Sequence, residues 1–102
     1  MKKFIFMIAI ASSLLFGCGS ADYTTEEFEA ALNNGEDVSG KTVLVDVYEL
    51  EPNSAFGYNM QAGEHLNFVS AENPGVQKGD QIKVRVEKVA SMFGSFIITY
   101  EQ

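Results

Sequence analysis

The spacing of hydrophobic positions divides the chain into three stretches. Residues 4–15 form an almost continuous apolar run that only two serines interrupt. Between residues 24 and 35 the apolar positions recur at i, i+3 and i+4, which is typical of one face of a helix. From residue 40 onward, apolar and polar positions alternate in short segments, which indicates β-strands. The pattern therefore predicts an apolar leader, one short helix and a mainly β remainder.

The helix is predicted to begin at a capping box. Thr24 is the expected N-cap, and Glu27 follows three residues later, where its side chain can accept a hydrogen bond from the backbone of the N-cap residue. Gly35 is expected to end the helix. Its apolar stripe consists of Phe28, Ala31 and Leu32. The first turns also carry Glu26, Glu27 and Glu29, which we expect to be solvated because the helix dipole favours negative charge at this end.

Five strands are predicted after the helix. The first, residues 41–50, shows the longest alternation. One of its faces carries Val43, Val45 and Val47, and the other carries Leu44, Asp46, Tyr48 and Leu50. The sequence Pro52-Asn53-Ser54 is expected to break this strand. The other four predicted strands are residues 56–61, 64–69, 81–89 and 96–100.

The residues that open two of these strands resemble those of the OB-fold. They are Gly40-Lys41-Thr42-Val43 at the start of the first strand and Lys78-Gly79-Asp80-Gln81-Ile82-Lys83-Val84 at the start of the fourth. The resemblance is closest to exported, tRNA-anticodon-like OB domains of small bacterial lipoproteins, and it covers about residues 24–100. It implies a mainly β fold, namely a five-stranded OB-like barrel preceded by one short N-terminal α-helix. Closure of the barrel would remove exposed sheet edges. An open sandwich is the alternative, because the short segment 71–78 stands where an OB-fold usually has a helix.

The first 17 residues have the layout of an export signal. Lys2 and Lys3 provide a positive start, and the apolar run 4–15 follows. This run is shorter than the roughly 20 apolar residues that a membrane-spanning helix needs. The chain is therefore expected to be exported and to act outside the cytoplasm.

The sequence Leu15-Phe16-Gly17-Cys18 resembles the lipobox of bacterial lipoproteins. In such proteins the cysteine sulfur carries a diacylglyceryl group, and the chain is cleaved just before the cysteine. The resemblance implies a lipid attachment at Cys18 that holds the protein on the cell membrane. The implied organisation is a signal peptide at 1–17, a lipidated tether at 18–23 and an OB-like domain at 24–102. The alternative is an ordinary secretory signal with an incidental cysteine.

Cleavage at this point makes the protein strongly acidic. Loss of Lys2 and Lys3 leaves five basic residues against fourteen acidic ones, a net charge of −9. Such a surface repels phosphate backbones, so no nucleic-acid partner is expected in spite of the OB resemblance. Because Cys18 is the only cysteine, the domain has no disulfide to support its core.

No combination of residues suggests catalysis or a bound cofactor. His65 is the only histidine, and no partner follows it at the spacing of a His-based metal site. The chain contains no nucleophile elbow and no glycine-rich phosphate loop. We therefore predict that the protein is not an enzyme and needs no cofactor or metal.

Alternation along the second and third strands predicts an outward face that could bind a ligand. Its candidate residues are Asn59, Gln61, His65 and Asn67, with Phe93 at the rim. Amides supply paired donors and acceptors, and aromatic rings supply apolar area, which suits a protein, peptide or glycan ligand. The alternative is that Phe56 and Phe93 plug the ends of the barrel.

These observations together predict a binding or interaction module held at the cell envelope by a lipid. A structural accessory subunit of an envelope protein complex is the alternative, and a single-stranded nucleic-acid binder or an enzyme is less favoured.

Overall fold

A seven-stranded sheet and one helix make up most of residues 20–102, the part of the chain that the computed structural model describes. The elements in chain order are β1 (Tyr23–Thr24), α1 (Thr25–Asn33), β2 (Thr42–Asp46), β3 (Glu49–Ser54), β4 (Gly57–Ala62), β5 (Leu66–Ser70), β6 (Gln81–Met92) and β7 (Ser95–Glu101). Of residues 20–102, 52% lie in strands and 11% in the helix. The prediction of a mainly β fold with one helix is confirmed. The predicted signal peptide and Cys18 lie outside the described residues.

The strands are arranged in the order β1-β2-β6-β7-β5-β4-β3. The pairs β1 with β2 and β5 with β7 are parallel, and the other four pairs are antiparallel. Among residues 20–102 no strand ladder joins β1 to β3, the two edges of the sheet. The prediction of a closed barrel of five strands is therefore wrong in this form: the sheet has seven strands and is not closed.

The extra strand count arises mainly because the predicted first strand is broken at Val47 and Tyr48. The Val47 N–H donates to the carbonyl of Asp80 (2.9 Å), whereas the Tyr48 N–H donates to the carbonyl of Gln61 (3.0 Å). The chain thus changes partners within two residues, from the side of β6 to the side of β4. The bend also places Leu50 against the core, together with Val43, Val45 and Val47. Strict alternation along one unbroken strand predicted Leu50 on the opposite face from these valines.

Pro52 lies inside β3, although the sequence predicted a strand break there. The position is tolerated because β3 is an edge strand that pairs only with β4. The register shifts between Glu51 and Ser54, so Pro52 stands where the ladder is interrupted. A missing backbone N–H therefore costs no hydrogen bond within the sheet.

The helix covers the core from one side, and its predicted cap is confirmed. The Glu27 N–H donates to the Thr24 hydroxyl (3.2 Å), and the Thr24 N–H donates to the Glu27 carboxylate (3.0 Å). Phe28 on α1 is fully buried, with its ring centroid 5.7 Å from that of Phe68 on β5. Phe68 in turn lies 6.2 Å from Tyr100 on β7. These three rings join the helix to two strands of the sheet.

The segment before β1 is fastened to the start of β2 by Asp22. The Asp22 carboxylate accepts hydrogen bonds from the backbone N–H (3.0 Å) and the hydroxyl (3.2 Å) of Thr42. The Asp22 N–H donates to the same hydroxyl (3.0 Å). These hydrogen bonds hold the pKa of Asp22 below its ordinary value of 3.8.

Replacing Asp22 with asparagine should therefore lower stability in a pH-dependent way. The pKa of Asp22 is lower in the folded than in the unfolded state. At a pH above the unfolded value the ionised carboxylate therefore stabilises the fold, and this stabilisation is lost as the pH falls through the folded value. Thermal melts of wild type and Asp22→Asn should differ at neutral pH and converge at strongly acidic pH. A difference that persists unchanged in strong acid would contradict a charge-based effect.

Candidate functional site

The outward surface of β3, β4 and β5 carries the predicted amides in a defined register. Met60 and Phe68 point into the core and are fully buried, so their chain neighbours lie on the opposite face of the sheet. Contrary to the prediction, this face is not fully open to solvent, because Asn59 and Val69 are only 8% and 6% exposed. Two cross-strand rows result, one made of Glu51, Asn59, Val69 and Thr99, the other of Glu49, Gln61, Asn67 and Ile97. We call Asn59, Gln61 and Asn67 the amide face. Three of the five residues predicted for ligand binding are thus brought together.

Hydrogen bonds fix the orientation of two amides in this face. The Asn67 Nδ2 donates to the backbone carbonyl of Phe96 (3.2 Å), and the Asn59 Nδ2 donates to Asn67 Oδ1 (3.1 Å). Since the Phe96 carbonyl can only accept, it determines which end of the Asn67 amide faces it, and Asn67 then determines the orientation of Asn59. The remaining atom, Asn59 Oδ1, has no hydrogen-bond partner within residues 20–102, although Asn59 is only 8% exposed. The series of amides therefore ends in a buried, unpaired acceptor.

Acidic side chains border the amide face along β3. Glu51 stands opposite Asn59, and Glu49 stands opposite Gln61. Glu49 lies 3.9 Å from the ammonium of Lys78, whereas Glu51 has no ionic partner in the described part of the chain. This edge of the face consequently offers acceptors and negative charge.

A cleft of about 520 Å³ adjoins the amide face on its other side. Val69 and Thr99, the next residues in the row of Asn59, line it together with Tyr100 and three glutamates, Glu72, Glu87 and Glu101. Its volume falls in the range of small-ligand sites. The buried Tyr100 hydroxyl has no well-formed hydrogen bond among residues 20–102, and its interaction with the Ser70 side chain is weak. Burial raises the pKa of Tyr100, so this hydroxyl is protonated at neutral pH.

His65 lies apart from the amide face. It was predicted within the third strand, but it belongs to the turn before β5, which begins at Leu66. Its ring Nδ1 lies 3.2 Å from the Glu29 carboxylate. The N–H groups of Glu64 (2.8 Å) and His65 (2.9 Å) also donate to that carboxylate. His65 is therefore bound to the helix.

Glu29 itself is a residue whose role the sequence did not reveal. It was expected to be solvated at the start of the helix, but it is only 9% exposed. That expectation is wrong because the carboxylate is turned onto the 63–65 turn, where it accepts two backbone hydrogen bonds. Gly63 makes this approach possible, since a Cβ at this position would collide with Glu29 Oε1.

Phe93 projects from the turn between β6 and β7. It is 100% exposed, and it is the one non-glycine residue with a positive φ (52°) among residues 20–102. Met92 beside it is also exposed. We call Met92, Phe93 and Gly94 the hairpin tip. Phe56, in the turn between β3 and β4, is 45% exposed. Neither aromatic ring plugs an end of the sheet, so that alternative is wrong.

Comparisons with protein-family models, curated proteins and solved structures found no match for this chain. Within residues 20–102 no helix has the length and apolar character needed to cross a bilayer. The same residues contain no group of three or more histidine, cysteine or acidic side chains that could hold a metal ion. The geometry of the amide face and of the hairpin tip is therefore the basis for a functional proposal.

Proposed function

We propose that this protein is a lipid-anchored binding module of the cell envelope, built on an OB-type domain and exposed outside the cytoplasm. The domain assignment is supported by the bend at Val47 and Tyr48. When β2 and β3 are counted as two halves of one bent strand and the two-residue β1 is set aside, five main strands remain. The two halves pair with different neighbours, β6 and β4. A partly open five-stranded barrel of this kind is typical of the OB-fold.

The proposed ligand site is the amide face, and the unpaired Asn59 Oδ1 is the observation that supports it. A buried acceptor without a partner costs about 1–3 kcal/mol, which a ligand recovers when it donates a hydrogen bond there. Because Oδ1 is screened from solvent, Asn59 or a side chain that covers it must move slightly as the ligand binds. Glu49 and Glu51 add further acceptors at the edge of the site.

The chemistry of this face favours a ligand rich in donors. Hydroxyl groups of a glycan and N–H groups of a peptide or partner protein both meet this requirement. Phosphate groups do not, because they bring acceptors and negative charge to a face bordered by two glutamates. The proposal is accordingly a binding function without a chemical step and without nucleic acid as the ligand.

The anchor is tested by replacing Cys18 with alanine in the full chain. Cells that carry either form are grown with an acyl probe, and incorporation into the protein is measured. We expect strong labelling of the wild type and none of Cys18→Ala, because the lipid would be attached to the cysteine sulfur. Ser20→Ala is the matched control and should label like the wild type. Equal label on wild type and Cys18→Ala would rule out the anchor.

The binding face is tested by replacing Asn67 with alanine. This change removes the amide that orients Asn59, and it should lower the free energy of unfolding by only about 1 kcal/mol. Crosslinked pull-downs from native membranes, together with glycan-array binding, compare this variant with the wild type. Lys83→Ala, at an exposed position on β6, is the control.

We expect the wild type and Lys83→Ala to retain the same ligand. Asn67→Ala should lose it while its melting temperature falls by only ~4–8 °C, the shift that a loss of about 1 kcal/mol implies for a domain of this size. Retention of the ligand by Asn67→Ala, or loss of the ligand by both variants, would place the binding site elsewhere.

A further inference from the structure

The hairpin tip combines an exposed aromatic ring with a backbone conformation that such residues rarely adopt. Two-residue hairpin turns with positive φ usually contain asparagine, aspartate or glycine, but this turn is Phe93-Gly94. Phe93 thus carries both the cost of the left-handed conformation and the cost of a fully hydrated ring. Neither cost is offset by a contact within the described residues, which points to a role on the surface.

The tip lies in an uncharged segment of an acidic protein, and residues 52–63 around Phe56 form a second such segment. Residues 89–98 contain no charged side chain, although 21% of the whole chain is charged. The nearest charge before this stretch is the cation of Lys88. An apolar or interfacial environment can therefore approach the tip without burying a charge.

The chain before β1 leaves the sheet toward the same end as the tip. Strand β1 is parallel to β2, and β2 is antiparallel to β6, with Thr42 opposite Arg85. The direction from Thr24 to Asp22, toward the N-terminus, is therefore the same direction in space as that from Arg85 to Met92 along β6. The hydrogen bonds between Asp22 and Thr42 hold the start of this segment against the sheet.

The hairpin extends farther in this direction than the tether. Three residues separate Cys18 from Asp22, and the four residue-to-residue steps span at most ~14 Å when extended. Seven strand residues separate Arg85, at the level of Asp22, from Phe93, and the eight residue-to-residue steps correspond to ~26 Å. Along the strand direction, the hairpin consequently reaches farther than the tether allows the lipid to lie.

We propose that Met92 and Phe93 insert into the interfacial region of the membrane that holds the lipid on Cys18. The proposal rests on the anchor proposed above. Phenylalanine supplies apolar area that segments lying in the membrane interface bury at the headgroup boundary. The anchor raises the local lipid concentration enough for a small apolar contact of this kind to persist. The tip and the lipid then form two attachment points, which fix how the amide face is presented.

The absence of tryptophan from the chain makes an introduced tryptophan a selective probe of this contact. Phe93→Trp places the only indole of the protein at the tip. Phe56→Trp is the matched control. Phe56 lies in the turn next to Gly57, where β4 begins. The other end of β4 is Ala62, which pairs with Leu66. Leu66 pairs with Phe96, close to the tip, so the two probes occupy opposite ends of the sheet.

Both full-length variants are expressed with their leader, extracted from membranes, and reconstituted into phosphatidylcholine vesicles that contain lipids brominated at defined acyl depths. We expect the indole emission of Phe93→Trp to shift to shorter wavelength and to be quenched most by shallow bromines. The emission of Phe56→Trp should remain that of a water-exposed indole and should not be quenched. Equal behaviour of the two variants would overturn the proposal in favour of non-specific contact. A shift in Phe93→Trp only when other membrane proteins are added would overturn it in favour of a protein partner.

The mass of the extracted protein separates this inference from the proposed function. A mass that includes two acyl chains on Cys18 confirms the anchor. If the indole of Phe93→Trp is unquenched in that same sample, membrane insertion of the tip is refuted while the anchor stands. An unmodified Cys18 refutes the anchor. In that case the same variants are coupled to the vesicles by a maleimide lipid on the Cys18 thiol. Quenching of Phe93→Trp but not of Phe56→Trp then still supports insertion, whereas its absence refutes it.

Discussion

Replacing Phe68 with alanine should lower the free energy of unfolding by about 3 to 5 kcal/mol. Phe68 is fully buried, and its ring lies between Phe28 on α1 and Tyr100 on β7. Truncation removes the group that joins the helix to the sheet and leaves a cavity, because neighbouring side chains relax only partly around it. Chemical denaturation monitored by circular dichroism measures the change.

The matched control is Phe93→Ala, which deletes the same atoms at a fully exposed position. Its stability should stay close to that of the wild type, because no buried contact is lost. Similar losses for the two variants would mean that the ring of Phe93 is also part of a packed core. A small loss for Phe68→Ala would mean that the three rings do not hold the helix in place.

Replacing Glu29 with alanine should be the most damaging single change among the charged residues, with a loss of about 2 to 3 kcal/mol. The carboxylate accepts hydrogen bonds from the backbone N–H groups of Glu64 and His65, which are left without these partners in the variant. The loss should be smaller in Glu29→Gln, since one oxygen can still accept. Urea denaturation and hydrogen exchange at the 63–65 turn measure both effects.

Glu26→Ala is the control for this prediction, since Glu26 is an exposed acid on the same helix. It should change stability only slightly, in keeping with a weak interaction with the helix dipole. If Glu26→Ala and Glu29→Ala cost the same, the bonds across the 63–65 turn contribute nothing beyond helix charge. Unchanged exchange protection at the turn in Glu29→Ala would lead to the same conclusion.

Features of this fold that depend on near neighbours in sequence were predictable. The capping box needs only Thr24 and Glu27, and the alternation that buries Val43, Val45 and Val47 is visible in the first strand itself. The break after Val47 was not predictable, because it depends on Asp80 and Gln61, which are distant in sequence. Pro52 was misread for the same reason, since only the sheet order shows that β3 is an edge.

The candidate site follows the same division. Alternation placed Asn59, Gln61 and Asn67 on one face, and the structure brings them together. It could not show that Asn59 ends a series of hydrogen bonds with an unpaired oxygen, because this depends on the cross-strand register and on the carbonyl of Phe96. Nor could it separate His65 from that face, since the partner of His65 is Glu29, 36 residues away.

The interrupted edge of β3 has a consequence for the behaviour of many copies at once. An exposed strand edge can template the addition of another chain, and this hazard rises with local density. Here one edge of the sheet contains Pro52 and two glutamates within six residues, and the other edge, β1, is only two residues long. Copies crowded onto a single surface should therefore stay separate instead of growing into cross-β ribbons.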